Sequence, residues 1–341
     1  MSKRRKVRTD RAAAALGILI LLIAVLVSCA RSCSDDGGDK KQHIKNKKAA
    51  VTHDTTEATT EEVTTAPLVT VPHNDNELIE GLPTCSACAV YSVDYDTMLY
   101  ECYIDKQIAP ASLTKLLTSC TALRYADSDD VFTVGSEQWL VPENSSLALL
   151  AEGQELTLHD LMCGMLLASG NDAAYTTAVG VARQYKDAPY LSDDEAVSVF
   201  CGLMNDYAAS IGMTGSSFVS PDGWDNDSQY STVHDLIKLA AHVLTVPELR
   251  EIVGTYCYST NFVTGDAAEW TNSNKLLDSD GLYFCPTAIG MKTGSTANAG
   301  SNLISAFEEN GKTYIIVVAG CTSDDERYEL TLGLHDRFIT Q

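Results

Sequence analysis

Three short polar elements constrain this chain more than anything else in it: Ser112-x-x-Lys115, Ser169-Gly170-Asn171 and Lys292-Thr293-Gly294-Ser295. The first stands at the predicted start of a helix, behind Pro110 and ahead of the apolar positions Leu113, Leu116 and Leu117. Residues i and i+3 share a helical face, so the Lys115 amine is expected beside the Ser112 oxygen. A serine hydroxyl becomes a nucleophile only when a neighbouring base takes its proton. A lysine provides that base once burial and a second cation lower its pKa. The second element follows a long apolar helical stretch, and the third follows a strand-like run, Ala288-Ile289-Gly290-Met291. Singly, each pattern is common on solvated surfaces. In this order, and each at an element boundary, they require a fold that brings distant parts of the chain to one point.

That trio, Ser-x-x-Lys with a Ser-x-Asn and a Lys-Thr-Gly, is shared by class A β-lactamases and penicillin-binding proteins. Here the middle position of the second element is Gly170. The longer context narrows the resemblance. Gly153-Gln154 through Leu158, Asp160-Leu161, Ala168 through Ala174, Ile211-Gly212-Met213, Phe218, Pro221-Asp222-Gly223 and Tyr230 through Leu236 resemble the serine D-alanyl-D-alanine carboxypeptidases, the low-molecular-weight penicillin-binding proteins. The similarity runs from about Ser86 to the C-terminus.

The resemblance implies an α/β (α+β) fold of the serine β-lactamase and penicillin-binding-protein type: an antiparallel sheet of about five strands, flanking helices and an all-helical subdomain. It implies that Ser112 forms an acyl-enzyme with peptidoglycan stem peptides, releasing the terminal D-alanine, and is acylated by β-lactams. Lys115 is then the general base and Ser169 a proton relay. Asn171 contacts the substrate amide, Lys292 and Thr293 meet its terminal carboxylate, and Gly294 lets it approach the strand edge. The backbone N–H groups of Ser112 and Ser295 form the oxyanion hole. Arg327 stands as either a second carboxylate contact or a surface arginine. A β-lactamase and a non-catalytic sensor of β-lactam or wall fragments share the trio. The first needs an added deacylation base, and Pro247-Glu248-Leu249 is read instead as the end of a helix. No cofactor is expected, and His159, His234 and His242 are read as structural.

Composition sets the surroundings. The chain of 341 residues carries a net charge of -22, yet Lys3, Arg4, Arg5, Lys6, Arg8 and Arg11 precede an unbroken apolar run from Ala12 to Ser28. That layout predicts a basic n-region over 1–11 and a signal or single membrane span over 12–28. Leu26-Val27-Ser28-Cys29 also resembles a lipoprotein cleavage box, so the anchor is either the span or a lipid on Cys29. Either way the remainder is expected outside the cytoplasmic membrane. Residues 29–78 are Thr-rich with few large apolar groups, and read as a disordered linker. Residues 79–341 form the predicted catalytic domain, large enough for its own core. Many members of the family are anchored at the C-terminus; here the expected anchor is N-terminal. From Ile79 onward there are 12 basic and 36 acidic residues, which disfavours a nucleic-acid partner.

Eleven cysteines in an exported chain suggest disulfides. Cys120, Cys163 and Cys201 nevertheless sit in apolar helical stretches, as small buried hydrophobes do. The reading is therefore of mostly free buried thiols, with one disulfide involving Cys85 or Cys88 as the alternative. A metal is not expected, because the Cys85-Ser86-Ala87-Cys88 doublet has no second such doublet. The coarse pattern predicts a hairpin over Ala89–Glu101, a capped helix after Thr157 that ends at Ala168, another capped helix after Thr232, and a helix over Asp194–Ile211. It then predicts strands over Thr287–Lys292, Gly300–Phe307 and Thr313–Gly320, and a last helix over Asp325–Ile339.

Overall fold

A computed structural model describes residues 78–340. The basic cluster, the apolar run, the Cys29 box and the Thr-rich stretch up to residue 77 lie outside the described residues. The described residues open with the predicted hairpin, β1 (Ala87–Ser92) and β2 (Thr97–Cys102). It closes with β7 (Ala288–Thr296), β8 (Gly300–Glu309), β9 (Lys312–Cys321) and helix α7 (Asp324–Phe338). All five strands join one antiparallel sheet in the order β2-β1-β9-β8-β7, with β1 and β9 paired in the register Ala89↔Val317. The two ends of the described residues thus build one sheet, and everything between them is inserted.

Side chains alternate across the pleat, so each central strand serves two cores. Ala87, Ala89, Ile304, Ala306, Ile315 and Val317 face the inserted helices. Val90, Leu303, Phe307, Ile316 and Val318 face the other way, against Tyr328, Leu330 and Leu334 of α7. This double burial explains why β8 and β9 read as nearly continuous apolar runs.

The insert begins with a 3₁₀ turn, Ala111–Leu113, which runs straight into α1 (Thr114–Tyr125). Thr114 through Ala122 are all buried, so α1 is a central helix that meets water only at its last turn, where Arg124 is exposed. Two of its hydroxyls are satisfied locally: Ser119 and Thr121 donate to the carbonyls of Lys115 and Leu117 at 2.9 and 2.8 Å, while Thr118 donates to the Pro221 carbonyl at 2.6 Å. Around it pack α2 (Leu158–Leu166), α3 (Asn171–Lys186), α4 (Asp193–Ser210), α5 (Val233–Thr245) and α6 (Pro247–Gly254). The predicted caps form, with Thr157 and Thr232 accepting from the N–H groups of Asp160 and Asp235, both at 3.1 Å.

Three boundaries differ from the sequence reading, and two ribbons are new. Helix α2 stops at Leu166 rather than Ala168, because Ser169 takes a left-handed φ of +59° and turns the chain away. Strand β7 continues to Thr296, so Lys292 through Ser295 lie on the strand rather than after it. Pro247-Glu248-Leu249 opens α6 instead of ending a helix, since proline suits a first helical position. Two small ribbons, β3 (Val131–Thr133) with β4 (Glu155–Thr157) and β5 (Cys257–Asn261) with β6 (Ala267–Thr271), were not expected from such short, half-exposed segments.

Candidate active site

The 3₁₀ turn carries Ser112 and α1 carries Lys115, and the two side chains meet as the i, i+3 spacing predicts: Lys115 Nζ lies 2.8 Å from Ser112 Oγ. The amine has two further partners, Asn171 Oδ1 at 2.7 Å and the Asp222 carbonyl at 2.9 Å. Lys115 is wholly buried. Burial lowers its pKa from 10.5 to about 8, against the opposing pull of the Asp222 and Asp172 carboxylates. The three contacts account for all three protons of an ammonium. In the neutral amine, two N–H groups keep Asn171 and Asp222 while the lone pair is left for the Ser112 O–H. The site is therefore built to accept the serine proton.

Asn171 opens α3, and its amide is oriented by opposite charges. Its oxygen faces the Lys115 amine, and its Nδ2 donates to Asp222 Oδ2 at 2.7 Å. The other Asp222 oxygen accepts from Ser220 Oγ and the Trp224 N–H. Asp222, 1% exposed, thus closes a Lys115-Asn171-Asp222 chain. The sequence reading included Asp222 only as part of the resemblance and gave it no role. Its signal was the turn Pro221-Asp222-Gly223, where Gly223 has a φ of +90° and a Cβ would lie 1.8 Å from the Ala111 carbonyl. Asp172, the next residue of α3, does other work. Its carboxylate accepts the N–H groups of Ala148, Leu150 and Ala173, pinning the 145–151 loop beside the site. The Ser169 hydroxyl is not among the partners of Lys115.

The third element arrives on β7, the edge strand of the sheet. Gly294 lies against the nucleophile turn: a Cβ there would stand 3.0 Å from the Ser112 nitrogen and 3.1 Å from that of Leu113. The space its missing side chain leaves is thus taken by the backbone of the turn, where the sequence reading had reserved it for a peptide. Asn302 of β8, also missed, ties the same turn to the sheet. Its Nδ2 donates to the Ala109 carbonyl at 2.9 Å, and its Oδ1 accepts from the Gly320 N–H at 2.8 Å.

Lys292 is 1% exposed and its amine has no hydrogen-bond partner. Burial, then the charges of Lys115 and Arg327, push its pKa well below the ordinary lysine value. An arriving anion would restore its charge. Thr293 shares a hydrogen bond of 2.7 Å with Ser273. Arg327 is 4% exposed, which rules out the surface reading. Its guanidinium donates to Ser295 Oγ at 3.0 Å and meets Asp324 at 3.2 Å. A cleft of about 90 Å3, lined by Ser112, Asn171, Asp222 and Ser295 among others, opens above the nucleophile. The three histidines are engaged elsewhere: His159 with Glu248, His234 with Asp105 and His242 with Tyr207. Glu248 is likewise bound to His159 and Ser128, away from Ser112.

The nine described cysteines are all free; seven are buried, Cys85 is half-buried and Cys257 exposed. No group of three or more metal-ligating side chains occurs among the described residues.

Comparison with known proteins agrees with this geometry. A family model described as D-alanyl-D-alanine carboxypeptidase matches residues 77–323. D-alanyl-D-alanine carboxypeptidase DacC of Escherichia coli (strain K12) is 32% identical over 258 residues, 72% of this chain and 59% of DacC. The D-alanyl-D-alanine carboxypeptidase of Streptomyces sp. (strain K15) is 31% identical over 255 residues, covering 71% of this chain and 83% of that protein. Among solved structures, the Streptomyces K15 DD-transpeptidase superposes with a TM-score of 0.67 at 30% identity, covering 76% of this chain and 99% of the other. Penicillin-binding protein D2 from Listeria monocytogenes, solved in an ampicillin-bound form, gives 0.60 at 30% identity, over 74% and 96%.

Proposed function

The chain belongs to the D-alanyl-D-alanine carboxypeptidase family, and from that membership we propose that it removes the terminal D-alanine from peptidoglycan stem peptides through an acyl-enzyme on Ser112. The observation that carries this reading is the buried Lys115 amine, 2.8 Å from Ser112 Oγ with a pKa lowered to about 8. Such an amine is neutral near physiological pH far more often than an ordinary lysine, and in that form it takes the proton as Ser112 attacks the carbonyl between the two D-alanines. The tetrahedral oxyanion is held by the N–H groups of Ser112 and Ser295. Each such donor contributes on the order of 10²- to 10³-fold in other acyl-transfer sites. Lys115 returns the proton to the departing amine, and Ser169 relays it once a substrate occupies the cleft. Free D-alanine leaves, and water deprotonated by Lys115 hydrolyses the ester, restoring Ser112.

The substrate's terminal carboxylate is assigned to Lys292, Thr293 and the Ser295-Arg327 pair. The unpartnered buried amine of Lys292 supports that assignment, because it has no anion of its own, and the buried guanidinium of Arg327, paired with Asp324, adds positive charge beside it. Asn171 is assigned to holding Lys115, with its second Nδ2 proton left for the substrate amide. β-Lactams acylate the same serine. No helix of the described residues is long and apolar enough to cross a membrane. The proposed anchor is the N-terminal apolar run or a lipid on Cys29, with the catalytic body outside the cytoplasmic membrane.

Incubation with a stem pentapeptide tests the activity: the wild-type chain releases D-alanine and Ser112→Ala does not. Labelling of Ser112 by a fluorescent penicillin without any D-alanine release would replace this reading with a sensor, and rapid penicillin turnover would replace it with a β-lactamase. Intact-mass analysis of membrane-extracted protein tests the anchor: a diacylglyceryl group on Cys29 or an intact Met1 end supports it, and a soluble product lacking both overturns it.

A further inference from the structure

Cys88 on β1 and Cys102 on β2 stand directly opposite each other in the register of the first hairpin. Antiparallel partners lie about 4.5 or 5.5 Å apart at Cα, and both separations fall within the span of about 4.4–6.8 Å that a disulfide bridges. The Cys88 thiol is hydrogen-bonded to Cys102 on one side and to Cys85 on the other. All three pack into the core between the sheet and α7. Cys88 and Cys102 are buried, whereas Cys85, in the segment before β1, is half-buried and gives the group an opening to solvent. The proposed reaction at Ser112 uses none of them.

The three thiols are not equivalent. The hydrogen bond from Cys88, helped by one from the Tyr100 hydroxyl, lowers the Cys102 pKa to about 7 against the opposing effect of burial. Cys88 keeps its proton: its bonds to Cys102 and Cys85, together with burial, push its pKa well above the ordinary thiol value. A thiolate attacks a disulfide and a thiol does not. Cys102 is therefore placed to take the Cys88 proton, and Cys85 to meet a reagent that the other two cannot reach.

We propose that Cys85, Cys88 and Cys102 form a thiol relay that is oxidised by low-molecular-weight disulfides and ends in a Cys88–Cys102 bond. Cys85, as its thiolate, attacks one sulfur of the small disulfide, forms a mixed disulfide and expels the first small thiolate, which takes up the proton Cys85 lost. Cys88 passes its proton to Cys102, attacks the Cys85 sulfur and expels the second small thiolate. Cys102 gives its proton to that thiolate, attacks the Cys88 sulfur and releases Cys85, which regains its proton from solvent. One small disulfide is reduced to two thiols while Cys88 and Cys102 are oxidised to one disulfide. The chain with nine free described cysteines is the reduced end of this couple, and it stays so until a disulfide is supplied. The relay requires nothing of the hydrolase reading.

The test incubates the folded full chain with oxidised glutathione, quenches the exchange with acid at intervals and maps the sulfurs by mass. In the wild-type chain a glutathione adduct on Cys85 forms first and gives way to a Cys88–Cys102 bond. The adduct on exposed Cys257 serves as the internal reference for reagent attack. Cys85→Ser slows formation of the bond at least about tenfold, because the buried pair then waits for local opening. Cys88→Ala leaves the Cys85 adduct standing. A Cys85 adduct that persists in the wild-type chain, a final bond between any other pair, Cys85–Cys321 included, or no oxidation of the three thiols overturns the proposal. So does bond formation at equal rates with and without Cys85. The wild-type map decides even where a variant fails to fold.

Discussion

Asn171 faces Lys115 with its oxygen, at 2.7 Å, and turns its nitrogen to the carboxylate of Asp222 at the same distance. A single amide thereby fixes both the base and the charge that opposes the base's loss of a proton. Shortening it to Asn171→Ala strips one acceptor from Lys115 and one donor from a buried carboxylate. Leaving such a group unsatisfied destabilises by about 1–3 kcal/mol. Misplacing the base lowers Ser112 acylation about 10²-fold. Thermal melting and penicillin labelling rates read the two effects separately. Asn171→Asp keeps the shape but adds an anion beside Lys115, and so moves the pH dependence of acylation upward.

The pH dependence has a definite sign. Acylation needs neutral Lys115, so its rate rises as pH passes through about 8 and then levels. Lys115→Ala removes this limb along with most of the rate. Stability follows the same group: its folded pKa is about 8 against 10.5 for the free side chain. Between those values the unfolded chain binds more protons, so Lys115 contributes stability that increases with pH across that window. Below it, both states are protonated and the contribution no longer varies. Rate-pH profiles and denaturant melts between pH 7 and about 10 check both statements.

Gly294 and Gly223 confine the nucleophile turn from two sides. Gly294→Ala places a methyl 3.0 Å from the Ser112 nitrogen and forces the turn to shift. The expected result is a folded protein with acylation reduced about 10²-fold. Gly223→Ala sets its methyl 1.8 Å from the Ala111 carbonyl at a left-handed φ, so it destabilises the whole protein. Melting curves distinguish the two variants.

Arg327→Leu removes a buried cation that bonds Ser295 and lies near Lys292. The pKa of Lys292 rises, since a neighbouring positive charge has gone, but the combined field on a carboxylate weakens. A peptide ending in a free carboxylate should lose about tenfold in kcat/KM, while the same peptide ending in an amide changes little. An equal loss for both peptides would assign Arg327 to folding alone.

The thiols give a chemical test of the packing. Under denaturing conditions without reductant all nine cysteines of the catalytic body should alkylate. In the native protein Cys257 should label quickly, Cys85 more slowly, and the seven buried thiols only on unfolding. Masses showing a disulfide within residues 78–340 would contradict this arrangement.

Much of this protein was legible before any fold was in view. The Ser112-Lys115 pair is local: three residues of helical chain carry the geometry, so spacing alone predicts the contact. The helix caps at Thr157 and Thr232 are local for the same reason. The sheet of five strands, drawn from the first and last parts of the catalytic body, followed from strand patterning and the family resemblance. What sequence could not decide lies in contacts across long separations. Asp222 meets Asn171, Asn302 holds Ala109, and Arg327 reaches Ser295 only after the two ends of the chain pair and the helical insert folds back upon them. Burial decided the rest. Lys115 and Lys292 are ordinary lysines in the sequence, and only their enclosure lowers their pKa values. Arg327 resembles a surface residue on the last helix until packing against the sheet buries it. Local chemistry is set by neighbours in the chain; the electrostatic state of a group is set by neighbours in space, and those exist only in the folded protein.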